Sequence, residues 1–224
     1  DIDWPQFMSQ QDMIWEKLPE YWYDSAFLGN GKLGLMIYKE PGKNYLRLET
    51  GNCDVHDHRT KRDVFGIPRL LTGHFALHPK GKIINGTMHL DLWNAEVSTD
   101  ITTTKGVIHL RSFVHADEMM IIVKATTEGD EHDFQWEWIA AEANSPRYLI
   151  FKRQGKANKI PKDYELNPTA KISNEKEVNL SVQKLLAGGE TSIGWQETHN
   201  PETERTLWIN LTPVSYTHLT LPTT

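Results

Sequence analysis

From residue 33 to residue 211 the apolar side chains return with a period of two. Successive residues of a strand point to opposite faces, so this period demands half-buried strands. Leu33, Leu35 and Ile37 alternate with Gly34, Met36 and Tyr38. Pro41-Gly42 reads as a turn, and Leu46 and Leu48 then alternate with Tyr45, Arg47 and Glu49, which completes a hairpin. A strand over 70–78 ends at Pro79-Lys80-Gly81. Met88, Leu90 and Leu92 share a face, as do Ala95, Val97, Thr99 and Ile101, and then Ile108, Leu110, Ser112 and Val114. Residues 119–126 are almost continuously apolar, which predicts a strand covered on both sides at the centre of a sheet. Phe134, Trp136, Trp138 and Ala140 define one more face, and strand signals return at 178–182, 193–197 and 206–211. Many short strands with almost no helical period predict an all-β chain, a large antiparallel β-sandwich.

Three stretches break the pattern. Residues 1–30 are irregular and aromatic, holding Trp4, Trp15, Tyr21, Trp22 and Tyr23, and so much ring surface is expected to pack against something. Within them, Ser9 followed by Asp12 predicts a short capped helix through Trp15, ended by Pro19. Residues 51–68 are polar and punctuated by Gly51, Gly66 and Pro68; a loop of that length in a compact domain is often functional. Residues 144–168, rich in Pro, Lys and Asn, read as an excursion over the surface.

A chain of 224 residues, 38% hydrophobic and 24% charged, suits one globular domain. Its net charge of −6 and the lack of a basic run exclude the nucleic-acid-binding class. Cys53 is the single cysteine, which rules out an intrachain disulfide; it reads as a small packed side chain. No apolar run approaches the ~20 residues that would span a bilayer as a helix. The segment 214–224 resembles a translated sequencing adapter, so the domain is expected to occupy 1–213 and to be incomplete at its C-terminal end.

Gly29-Asn30-Gly31-Lys32-Leu33-Gly34 formally matches GxGxxG. A dinucleotide site needs a helix after the glycines, because the pyrophosphate sits on the helix N-terminus. Strand-like residues follow instead, so the glycines predict a tight turn entering a strand, and no cofactor is assigned. The run Cys53-Asp54-Val55-His56-Asp57-His58-Arg59 is dense in functional side chains. A metal site, a sugar-contacting loop and a solvated loop held by its own hydrogen bonds all fit it. The spacing matches no closed zinc pattern, and no metal is assigned. Asp, His and Arg can bond vicinal hydroxyls while Trp or Tyr stacks on a pyranose. Trp93, Trp136 and Trp138 are expected to pack in the core. With 30 Asp and Glu residues no catalytic pair stands out; Glu49, Asp54 and Asp57 alone lie near the loop. No GxSxG, HExxH or P-loop is present, and no catalytic residue is assigned.

Two stretches carry a resemblance. Asp24-Ser-Ala-Phe-Leu-Gly-Asn-Gly-Lys-Leu-Gly-Leu-Met-Ile-Tyr38 resembles the LGNGRLG-type opening of glycoside hydrolase family 95, the bacterial α-L-fucosidases and α-L-galactosidases. Leu90-Asp-Leu-Trp-Asn-Ala-Glu-Val97 and residues 107–123 are similar to strands of the same domain. The resemblance covers roughly residues 15–126 and implies a supersandwich of the galactose-mutarotase type, without catalytic residues of its own. It further implies an (α/α)6 barrel as the chain's own C-terminal partner, inverting hydrolysis of α-linked sugars there, a carbohydrate ligand, and a periplasmic or extracellular location. Asn30, Asp54, His56, Asp57, His58 and Arg59 are the implied substrate contacts. Where that family carries an NEDTLW run, this chain has Glu49 to Arg59, so a related family of the same architecture fits equally. A stand-alone carbohydrate-binding module and a purely structural sandwich are the alternatives.

Overall fold

The computed structural model describes residues 1–57, 59, 65, 68–199 and 204–214. The alternating segments form antiparallel strands: β1 (Met13–Trp15), β2 (Ala26–Gly29), β3 (Leu33–Lys39), β4 (Leu46–Asn52) and β5 (Gly73–His78). There follow β6 (Ile83–Asp91), β7 (Glu96–Thr103), β8 (Gly106–Val114), β9 (Met120–Gly129) and β10 (Gln135–Ala140). The last are β11 (Lys171–Glu175), β12 (Val178–Lys184), β13 (Glu190–His199) and β14 (Glu204–Val214). Among the described residues they make a nine-stranded sheet, β1-β6-β7-β8-β9-β14-β13-β12-β11, and a five-stranded sheet, β10-β5-β4-β3-β2. The fold is therefore the expected all-β sandwich. The apolar run that begins at Met119 supplies β9, fifth of the nine strands, where both flanks are paired.

Leu35, Ile37, Leu48, Phe75 and Leu77 of the small sheet meet Val97, Ile101, Ile108, Leu110, Ile121 and Val123 of the large one in a single core. Three rings join the layers: Phe75 lies 4.8 Å from Trp138 and 5.6 Å from Trp195 of the opposite sheet. Edge and tilted geometries of this kind add to area burial because the ring quadrupoles align favourably.

The N-terminal helix falls elsewhere than expected. α1 spans Trp4–Ser9, with Pro5 in its first turn and the Asp3 side chain accepting from the Gln6 amide at 3.2 Å. Residues 13–15, expected to be helical, pair with β6 instead, Ile14 opposite His89. Asp12 explains the change: its carboxylate accepts from the Leu92 amide at 2.9 Å and the His89 ring at 2.8 Å, and so pins the segment to the sheet rather than closing a capping box. The β6–β7 turn also differs. Ala95 takes a φ of 52° in the turn, and Leu92 and Trp93 are exposed rather than in the core. The Pro- and Lys-rich stretch contains α2 (Pro146–Arg153). Of the adapter-like segment, Val214 ends β14 and 215–224 lie outside the described residues.

Candidate functional site

The loop that leaves β4 is built on a miniature ladder. Asn52 turns the chain by accepting from the Asp54 amide at 2.8 Å. Residues 55–57 then run beside 68–70: Asp57 N donates to Pro68 O at 2.9 Å and Leu70 N to Val55 O at 3.0 Å, and His56 bridges Arg69. Val55 and Leu70 bury with Ala143 in a second small core, against which Leu185 packs. The backbone amides of Asp54, Val55, Asp57 and Leu70 are thus paired while the short apolar positions anchor the loop.

Asp57 is fully buried, and Arg59 Nε lies 3.0 and 2.9 Å from its two carboxylate oxygens. The guanidinium also sits 4.9 Å over the Tyr164 ring and donates to the Glu165 carbonyl. Tyr164 stacks on Tyr148 at 5.2 Å and meets Phe65 edge-on at 5.6 Å, and its hydroxyl accepts from the Ser145 amide at 2.8 Å. The stretch 144–168 therefore covers the loop through aromatic contacts rather than lying apart on the surface. Its Lys- and Pro-rich composition hid this; the tyrosines at 148 and 164 were the available signal.

The expected contact residues thus divide. Asp57 and Arg59 face each other and the excursion, with Arg59 Nη2 buried and without a hydrogen-bond partner among the described residues. Asp54 is exposed, with the Cys53 thiol 3.4 Å from its carboxylate; burial and that carboxylate push the thiol above its usual range. His56 is half-buried beside Arg69, whose Nε lies 3.4 Å from its ring. His58 lies outside the described residues. Asn30 sits apart from the loop. Its amide nitrogen donates to His115 O at 2.9 Å and Glu118 O at 3.2 Å, while its oxygen accepts from the amides of Lys32 and Leu33. It ties the turn between β2 and β3 to the end of β8, and Gly31 supplies that turn's φ of 89°. Among the described residues no three His, Cys, Asp or Glu side chains converge to hold a metal ion, and no helix among them is long and apolar enough to cross a membrane.

A second cluster lies on the outer face of the five-stranded sheet. Cross-strand register sets Tyr38 opposite Arg47 and Glu49 opposite His74. Tyr38 Oη donates to Glu49 at 2.6 Å, and Arg47 reaches Glu49 at 3.1 Å and Glu40 at 2.9 Å. Burial, then the bond to Glu49, drives the Tyr38 phenol upward. His74 is 7% exposed under the Tyr45 ring, 6.3 Å away, and its pKa is lowered to about 4, first by burial and then by Arg47. Sequence reading placed Arg47 and Glu49 on the polar face of the hairpin but gave no sign that this face is half-covered.

The third feature is a groove of about 1540 Å³ beside the aromatic N-terminal segment, floored by Trp15 and Leu18 and flanked by Tyr21 and Tyr23. Tyr21, Trp22 and Tyr23 are 50%, 62% and 62% exposed. Of the rings expected to pack away, Trp15 alone does so, and only in part; Trp4 is 52% exposed.

No protein-family model and no curated protein matches the chain. Among solved structures, the chain is similar to one named "Putative kojibiose phosphorylase from human microbiome", at 12% identity and a TM-score of 0.47. The similarity covers 83% of this chain, which spans 26% of that one.

Proposed function

We propose that this sandwich is the non-catalytic N-terminal domain of a glycoside hydrolase acting on α-linked sugars, family-95-like and inverting. In that reading it packs on an (α/α)6 catalytic barrel and lends loops to the rim of its active site, outside the cytoplasm. Its sequence support is the Leu28-Gly-Asn-Gly-Lys-Leu-Gly34 turn and the strands that follow. The observation that carries it is the bolted loop after β4. The buried Asp57–Arg59 pair and Tyr164 hold its base rigid while Asp54 and His56 remain within reach of solvent. Rigid support under accessible polar side chains is what a substrate-positioning loop requires. His58 belongs to the same proposed contact set.

The test is hydrolysis of aryl α-glycosides by the chain alone. No turnover is expected. Turnover lost in Asp54→Asn would place catalysis within the sandwich and overturn the reading. A stand-alone carbohydrate-binding module is the second reading, favoured by the exposure of Tyr21, Trp22 and Tyr23.

A further inference from the structure

We infer that the groove beside Tyr21 and Tyr23 is a binding site for a neutral oligosaccharide, separate from the loop after β4. The inference takes its ligand class from the carbohydrate reading above; its location and chemistry come from the groove itself.

The rings are exposed but not loose. β1 hydrogen-bonds to β6, and Leu18 is buried in the main core. Lys39 N donates to Pro19 O at 2.8 Å, and Trp15 Nε1 donates to Asp24 O at 2.9 Å. Leu18 also sits so close on Gly86 that a Cβ there would lie 2.7 Å from its Cγ. A segment tied at both ends and in the middle holds its side chains in place, which removes much of the ordering cost of binding.

The geometry of the rings suits a sugar. Tyr21 and Tyr23 are parallel within 4° at 5.2 Å, and Trp22 stands edge-on to Tyr23. The stack presents a flat π-face whose negative quadrupole attracts the axial C–H groups of a pyranose. Glu16, Glu20 and Asp24 stand with Lys17 and Lys39 around the groove, and Lys39 pairs with Glu20 at 3.0 Å. These groups can bond hydroxyls in either direction. Their mixed signs favour neither a uronate nor an amino sugar. The groove exceeds the roughly 300–1,000 Å³ that encloses a drug-sized ligand, so it accommodates several sugar units.

The experiment is affinity electrophoresis of the full chain in gels containing xyloglucan, arabinogalactan or dextran, with Kd then measured by calorimetry on the retarding polymer. Retardation by at least one is expected. Tyr21→Leu/Tyr23→Leu keeps apolar volume but removes the flat faces. It is expected to weaken binding by at least about tenfold, as loss of an aromatic anchor does, with the thermal midpoint unchanged. Trp93→Ala, an exposed tryptophan on the β6–β7 turn, is expected to bind as the parent. The inference is overturned by no retardation by any polymer, by binding of the Leu variant equal to the parent, by equal loss in Trp93→Ala, or by self-association of the chain that the Leu variant abolishes. Binding lost in Asp54→Ala but kept in the Leu variant would also overturn it, while leaving the loop after β4 as the sugar contact.

Discussion

The loop after β4 and the segment between α1 and β2 are both irregular, and the chain uses their side chains in opposite ways. The loop is rich in charge, yet its strongest pair, Asp57 and Arg59, is turned inward. The segment is rich in rings, yet Tyr21, Trp22 and Tyr23 face solvent. The physical reason is anchoring. In the loop Val55 and Leu70 bury only in a small core with Ala143, so a buried ion pair and the Tyr164 ring over Arg59 and beside Phe65 complete its anchoring. The segment is already held by Leu18, Trp15 and the β1 ladder, which frees its remaining rings.

The sharpest way to break this contrast is to remove one member from each side. Asp57→Ala leaves the Arg59 guanidinium without its carboxylate in a site where that carboxylate is fully buried. Breaking a buried pair typically costs about 3–5 kcal/mol, so the urea midpoint is expected to fall steeply. Tyr21→Ala or Tyr23→Ala, at exposed rings, is expected to move stability by no more than about 0.5 kcal/mol. Equal losses at the two sites would mean the rings are packed after all. A smaller effect is expected at Gly86→Ala. The new Cβ would meet the Asp100 carbonyl at 2.5 Å as well as Leu18, so backbone must shift. Overpacking of this kind costs about 1–3 kcal/mol, and the loosened segment should show as a red shift of tryptophan emission. A silent Gly86→Ala would remove Leu18 as the anchor of the groove.

The sandwich was legible because its signal is local: alternation in Leu33, Leu35 and Ile37 sets a strand's faces whatever it packs against. What covers a loop is not local. Arg59 and Tyr164 are distant in the chain, and no period links them. The helix expected at Ser9 failed for a related reason. Asp12 satisfied a capping pattern, but its carboxylate had a better use on the Leu92 amide of β6. Exposure was the least legible of all. Trp22 and Trp138 look alike in sequence; one is 62% exposed and the other buried in the inter-sheet ring cluster.

Asn30 sharpens the comparison from the other direction, since sequence reading grouped it with the loop. Its four hydrogen bonds all go to backbone, two of them across to residues after β8. Asn30→Ala is expected to destabilise by about 1–2 kcal/mol, the usual range for losing such bonds, without changing polysaccharide retardation. A variant of parental stability that no longer bound polysaccharide would make Asn30 a ligand contact instead of a clamp.

The last effect is expected in pH dependence, on the strands from which the loop springs. His74 on β5 faces Glu49 on β4, with Tyr45 stacked over it, Arg47 disfavouring its charge, and Glu40 and Glu137 partly opposing that. Its pKa falls from 6.5 to about 4 on folding. The unfolded chain therefore binds a proton that the folded chain refuses between those values. Stability from this site is intact above pH 6.5, declines as pH falls toward 4, and is constant below. One site limits the slope to about 1.4 kcal/mol per pH unit. Urea midpoints at pH 7 and pH 5 should differ more in the parent than in His74→Gln, which has nothing to protonate. Parallel behaviour would show that the imidazole reaches water and that the outer face of the five-stranded sheet is open, as the groove is, rather than closed like the loop.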